Sequence, residues 1–207
     1  MLTLGERQLC IDCMASLDET RCGSQPDNPT ERLLAGRMPL QAAMSMLAFR
    51  KGNTVQATVH AMKFGSGSEL CLLMGRQLGL TLQHTARFDD VDVLVPVPLH
   101  WRRRLQRGYN QSELLCRGIA EVMPRPVVTG AVVRQRYTRQ QSLQSGATRA
   151  DNVEGAFRLR QSAAVAGQHV LLVDDVVTTG ATLAACADAL LAAPNLRLSV
   201  ASLCIAS

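Results

Sequence analysis

Val170-Leu-Leu-Val-Asp-Asp-Val-Val-Thr-Thr-Gly-Ala-Thr182 decides how this chain is read. The apolar run predicts a short buried strand over 169–173, and the pattern over 179–191 predicts a helix. A strand of this kind delivers the two adjacent acids to its carboxyl end. The hydroxyl- and glycine-rich turn then offers backbone N–H groups to an anion, and the helix adds the positive end of its dipole. The acids repel a phosphate, yet they accept hydrogen bonds from sugar hydroxyls beside it. The expected ligand is a phosphorylated ribose.

Outward from this run, strands and helices alternate. Strands are expected over 40–49, 93–98, 127–134 and 196–205, and helices over 54–64, 68–78 and 111–123. Residues 99–110 read as an arginine-rich loop. Residues 135–157 carry no apolar period, which a compact domain keeps only as a functional loop or as disorder. The alternation predicts an α/β fold, a parallel sheet with helices on both faces. Residues 1–40 read as a separate, poorly packed segment before a domain over 41–207, whose core begins at 91.

A chain of 207 residues, 47% of them hydrophobic, is long enough for one α/β core. Its longest apolar runs fall short of the roughly 18 residues that span a bilayer, so no membrane insertion is expected. Met1-Leu-Thr-Leu-Gly-Glu-Arg7 has no basic region followed by an apolar stretch, and a cytoplasmic location is expected. Cys71, Cys116, Cys186 and Cys204 sit singly in apolar patterns and read as small buried hydrophobes. The net charge is +5, but residues 101–160 alone hold twelve arginines against four acids. Such clustering implies an anionic ligand, whether nucleic acid, phosphate or pyrophosphate.

The turn fits neither of two common phosphate motifs. No lysine follows Gly180, as a P-loop needs, and the three spaced glycines of a dinucleotide fingerprint are missing. The run 170–182 instead resembles the signature of type I phosphoribosyltransferases. Asp174 and Asp175 then bind the ribose hydroxyls of phosphoribosyl pyrophosphate. Val177, Thr178, Thr179, Gly180, Ala181 and Thr182 form the site for its 5′-phosphate. The loop after the 93–98 strand receives the pyrophosphate, which makes Arg102, Arg103 and Arg107 candidates together with Tyr109, Asn110 and Gln111. Asn110 and Gln111 have a second reading as helix caps.

Arg107-Gly-Tyr-Asn-Gln111 narrows the resemblance to the ComF family, phosphoribosyltransferase-like proteins associated with DNA uptake. Arg134 to Phe157 is similar to that family's loop pattern, which implies closure over the ligand by Thr138, Gln141 and Arg149. His60-Ala-Met-Lys-Phe-Gly65 resembles another family element and turns Lys63 toward an anion. Many members begin with two Cys-x2-Cys pairs that hold zinc. Here Cys10, Cys13 and Cys22 match, but residue 25 is glutamine, so the site is incomplete and no zinc is expected.

The resemblance implies magnesium with phosphoribosyl pyrophosphate, and a phosphoribosyltransferase (glycosyltransferase) reaction if the chain is active. The acceptor stays open. An alternative is a DNA-uptake protein that holds single-stranded DNA or a helicase partner without turnover. Four of the seven aromatics (Trp101, Tyr109, Tyr137 and Phe157) fall in the basic region. A sensor that binds the same ligand without turnover is a third reading.

Overall fold

The computed structural model describes residues 9–63, 67–135 and 155–206. In chain order its helices are α1 (Ile11–Ala15), α2 (Pro29–Leu34), α3 (Thr54–Ala61), α4 (Gly67–Gln83), α5 (Trp101–Arg107), α6 (Gln111–Val122) and α7 (Ala181–Leu191). The strands are β1 (Ala43–Phe49), β2 (Val93–Pro96), β3 (Val132–Arg134), β4 (Phe157–Leu159), β5 (His169–Val177) and β6 (Arg197–Ala206). β1, β6, β5 and β2 lie side by side in that order, and each neighbouring pair is parallel.

The register explains why the strands read as continuous apolar runs. Ala43, Val200, Leu172 and Val95 align across the sheet and point into one core. Met44, Ala201 and Val173 form the next row and point into the other. A parallel sheet covered on both faces needs apolar residues at consecutive positions. One face is covered by α3, α4 and α6, and the other by α2, α7 and the small sheet of β3 and β4. The expected α/β class, with helices on both faces, is what forms.

Three local expectations differ from the structure. The expected loop over 99–110 contains α5, because the arginines and Leu105 favour helix, His100 Nδ1 accepts from Arg102 N–H, and Gly108 ends it at φ 81°. The expected strand over 127–134 does not join the parallel sheet as one piece. Val127 makes a single bridge to Leu94, and β3 turns away to pair antiparallel with β4. Residues 18–40 are also well packed: Asp18 O accepts from Ala48 N–H, Thr30 is buried, and Leu34 is fully enclosed in the core beneath α7. Asn28 caps α2 and donates to the Ala43 carbonyl, tying this segment to β1. Among the described residues, no helix is long and apolar enough to cross a membrane.

α4 and α6 approach each other through glycines. A Cβ on Gly118 would run into the Leu72 carbonyl and lie 2.8 Å from Gly75 Cα, all of it backbone that has no room to yield. Gly36 is different: its φ is +72° and nothing lies within 4 Å of a new Cβ. Gly118→Ala should therefore cost about 3 kcal/mol through overpacking and lower Tm by roughly 10 °C. Gly36→Ala should cost about 1 kcal/mol through backbone strain alone. Thermal melts of both variants check this, and equal losses would contradict the steric account.

Candidate functional site

The carboxyl ends of the parallel strands open on one edge, where open α/β folds bind ligands. A cleft of about 420 Å³ lies there. Its floor is Asp174, Asp175 and Val176 of β5, with Thr178 and Thr182 at one end. Val97, Pro98 and Leu99 after β2 form one wall with Arg103, Arg107 and the start of α6. Phe49, from the end of β1, and Val59 and Lys63, from α3 and its end, form the other.

β5 continues four residues beyond the expected strand, so both acids lie within it and point to alternate sides. Asp174 is buried and accepts from Ser112 Oγ at 3.0 Å and from the Asp175 N–H at 2.9 Å. Asp175 Oδ2 faces Lys63 Nζ at 3.5 Å. Burial, reinforced by the neighbouring Asp175 charge, pushes the Asp174 carboxyl up to about 7. The Ser112 and Asp175 donors and the Lys63 charge act in the opposite sense. Ionised Asp174 is thus held at a cost, and hydroxyl donors from a ligand would lower that cost.

Four cationic side chains line the cleft, Lys63, Arg103, Arg107 and Arg134, against the two acids. Arg103 and Arg107 are one turn apart and share a face of α5. Arg107 is fixed by a 3.1 Å bond from Nη1 to Gln111 Oε1. Burial lowers the pKa of Arg107 and of Arg134, and Arg103 adds like-charge repulsion at each. Guanidinium groups crowded together in this way favour an anion between them. Arg102 departs from expectation: it stacks over the Trp101 ring, 5.2 Å from its centroid, and is not among the cleft-lining residues. The reason is the helix, which turns residue 102 roughly 100° away from residue 103.

The turn after β5 is built for a backbone contact. Gly180 has φ +75°, and a Cβ there would lie 2.7 Å from Leu34 Cδ2. The left-handed φ favours glycine, and any larger residue would also have to displace the end of the Leu34 side chain. As the N-cap of α7, Gly180 has no side chain to satisfy the helix N–H groups, which leaves donor capacity for an anion. Ala181 N–H makes a long 3.5 Å bond to Thr179 Oγ1. Thr178 and Thr182 face the cleft, whereas Val177 is packed beneath it.

Tyr109, Asn110 and Gln111 are largely architectural. Tyr109 Oη and Gln111 Nε2 both donate to the Met62 carbonyl, at 3.0 and 3.3 Å. Asn110 caps α6 through Ser112 N–H and donates to the Val97 carbonyl. The helix-cap reading therefore holds for Asn110, while Asn110 and Gln111 also line the cleft and Tyr109 does not. Sequence reasoning missed two residues. Ser112 reads as an ordinary first-turn residue, and Arg134 sits at the end of a strand assigned to the wrong sheet. An arginine directly before the unperiodic stretch was the available signal. Thr138, Gln141 and Arg149 lie outside the described residues, as does Gly65.

At the N-terminus, Cys10 Sγ accepts from Cys13 N–H at 3.4 Å and caps α1. Cys22 is buried with its thiol directed at Thr20 Oγ1. Among the described residues, no three His, Cys, Asp or Glu side chains are gathered as a metal site.

Residues 111–206 match the phosphoribosyl transferase domain family. The chain is 33% identical over 201 residues to DNA utilization protein YhgH of Escherichia coli O6:H1, covering 92% of this chain and 87% of that protein. It is 38% identical over 129 residues to Competence protein F of Haemophilus influenzae, covering 60% of this chain and 56% of that protein. Among solved structures it matches glutamine phosphoribosylpyrophosphate amidotransferase from B. subtilis, complexed with ADP and GMP. That match has 20% identity and a TM-score of 0.42; it covers 73% of this chain and only 27% of the larger one. The matched domain and the helix-flanked parallel sheet give the type I phosphoribosyltransferase fold. On this similarity the chain belongs to the ComF family of phosphoribosyltransferase-like proteins.

Proposed function

We propose that the cleft binds phosphoribosyl pyrophosphate. The observation that carries this reading is the acid pair of β5, set between a phosphate turn and an arginine wall. The 5′-phosphate takes the N–H groups and hydroxyls of 178–182. The ribose hydroxyls donate to Asp174 and Asp175, and the pyrophosphate faces Arg103, Arg107 and Arg134. Magnesium fits as an ion that enters with the ligand, because it is commonly held by substrate phosphates and few protein groups. It would supply charge neutralisation of the leaving pyrophosphate. In the same reading, transfer of the phosphoribosyl group to an acceptor releases pyrophosphate onto the arginines. The free thiols throughout the described chain suit a cytoplasmic setting.

Phosphoribosyl pyrophosphate with magnesium should raise Tm by several degrees, as ligand linkage requires. Asp174→Asn combined with Asp175→Asn should remove that shift; an unchanged shift overturns the reading.

The buried Asp174 carboxyl, beside the Asp175 charge and within the fields of Lys63 and Arg134, gives the site a pH dependence. It must be ionised to accept sugar hydroxyls freely, so affinity should fall as pH drops from 8 to 6. The free protein should behave in the opposite sense. A carboxyl raised by folding from 3.8 to about 7 costs stability as pH rises through that window. Asp174→Asn should therefore melt higher than the parent protein at pH 8, with the gap closing toward pH 4. Melts across this range check the sign.

A second reading rests on α5. Trp101 is 60% exposed, carries Arg102 over its ring and lies outside the cleft lining. An aromatic platform beside arginines suits single-stranded DNA. If it serves that role, affinity for an oligonucleotide should fall steeply with salt and drop several-fold in Trp101→Ala. A flat salt response overturns it.

A further inference from the structure

Lys63 is one of only two lysines among the twenty-two basic residues of the chain. It stands just past the end of α3 and reaches across the cleft to Asp175, with Nζ 3.5 Å from Oδ2. Its backbone surroundings are firmly held. The carbonyl of the preceding residue, Met62, accepts from Tyr109 Oη, from Gln111 Nε2 and from the Cys71 thiol at 3.6 Å. The side chain is held far less tightly. A strong charge-assisted bond is about 2.8 Å long, well inside the distance seen here. Lysine is also a point charge on a flexible stem, whereas an arginine would lock onto a carboxylate through two parallel bonds.

The neighbourhood gives that looseness a use. The other three cleft cations, Arg103, Arg107 and Arg134, come from α5 and β3, and Lys63 faces them from the opposite wall. Lys63 balances the acid pair. Once sugar hydroxyls donate to the two carboxylates, the acids no longer depend on that ammonium. An added pyrophosphate then becomes the stronger partner within reach.

Building on the proposed binding of phosphoribosyl pyrophosphate, we infer that Lys63 is a partner-switching residue: it pairs with Asp175 as the structure shows and moves to the pyrophosphate oxygens when ligand binds. It thereby selects ribose phosphates that carry a pyrophosphate at C1. No covalent change is involved. The ammonium keeps its protons and exchanges one anionic partner for another.

Calorimetric titration with phosphoribosyl pyrophosphate and with ribose 5-phosphate, each with magnesium, tests this in the parent protein and in Lys63→Met. The switch predicts a loss of about tenfold in affinity for the pyrophosphate ligand, the size expected for one charged hydrogen bond. Affinity for ribose 5-phosphate should be unchanged or slightly tighter, since that ligand offers Lys63 no pyrophosphate. Equal losses for both ligands would make Lys63 a fixed counter-ion of Asp175 and overturn the inference, as would no loss for either. If Lys63→Met fails to fold, Lys63→Gln replaces it with a polar stem of similar length. If the parent protein binds neither ligand, the binding reading itself falls and the switch falls with it. Binding by the parent with no selectivity change in the variant sinks the switch alone.

Discussion

A carboxylate buried at the end of the central strand is the constraint on which the rest of the site depends. Asp174 lies at the edge of an apolar core, its charge opposed by desolvation and by the adjacent Asp175. Ser112 at the start of α6, Lys63 past α3 and the backbone of β5 each offset part of that cost. These groups come from separate elements, so the acid pair gathers them at the carboxyl edge of the sheet as well as facing the cleft. A stability optimum would place an apolar residue there. Keeping a strained charge instead is characteristic of a binding site.

The same economy governs the helices around it. Gly75 and Gly118 let α4 and α6 touch backbone to backbone, which brings Ser112 and Gln111 to the cleft rim. The Met62 carbonyl gathers donors from Cys71 of α4, from Gln111 of α6 and from Tyr109 ahead of α6, and fixes the base of Lys63. Leu34 lies close to Gly180, so the N-terminal segment limits the space at the turn after β5 from a distance of many residues. Architecture and ligand contact are therefore hard to separate at Gln111, which braces Met62 and Arg107 while lining the cleft.

Much of this was readable from local pattern. The buried strand, the acid pair, the glycine-containing turn and the helix after it are consecutive in sequence and depend on short-range chemistry, so they are legible in thirteen residues, though β5 runs four residues further than its apolar stretch. The sequence offers Arg102, Arg103 and Arg107 alike, and only the last two line the cleft. In a loop the three are equivalent; in a helix one is turned away. His100 and Gly108 were the overlooked signals, a capping side chain and a stop on either side of α5.

By itself, the sequence determined the α/β class, the identity of the acid pair and the turn that follows it, because strand burial, helix start and positive φ are set within a few residues. Only the tertiary structure decided that β3 leaves the main sheet for β4, that residues 18–20 pair with β1 while Leu34 and Met38 enter the core shared with α7, and that Ser112, Lys63 and Arg134 converge on the acids. Those contacts join residues from 23 positions apart, as for Arg134 and Phe157, to 146 apart, as for Leu34 and Gly180. They arise from how layers stack and how charges find compensation, and no local period encodes either.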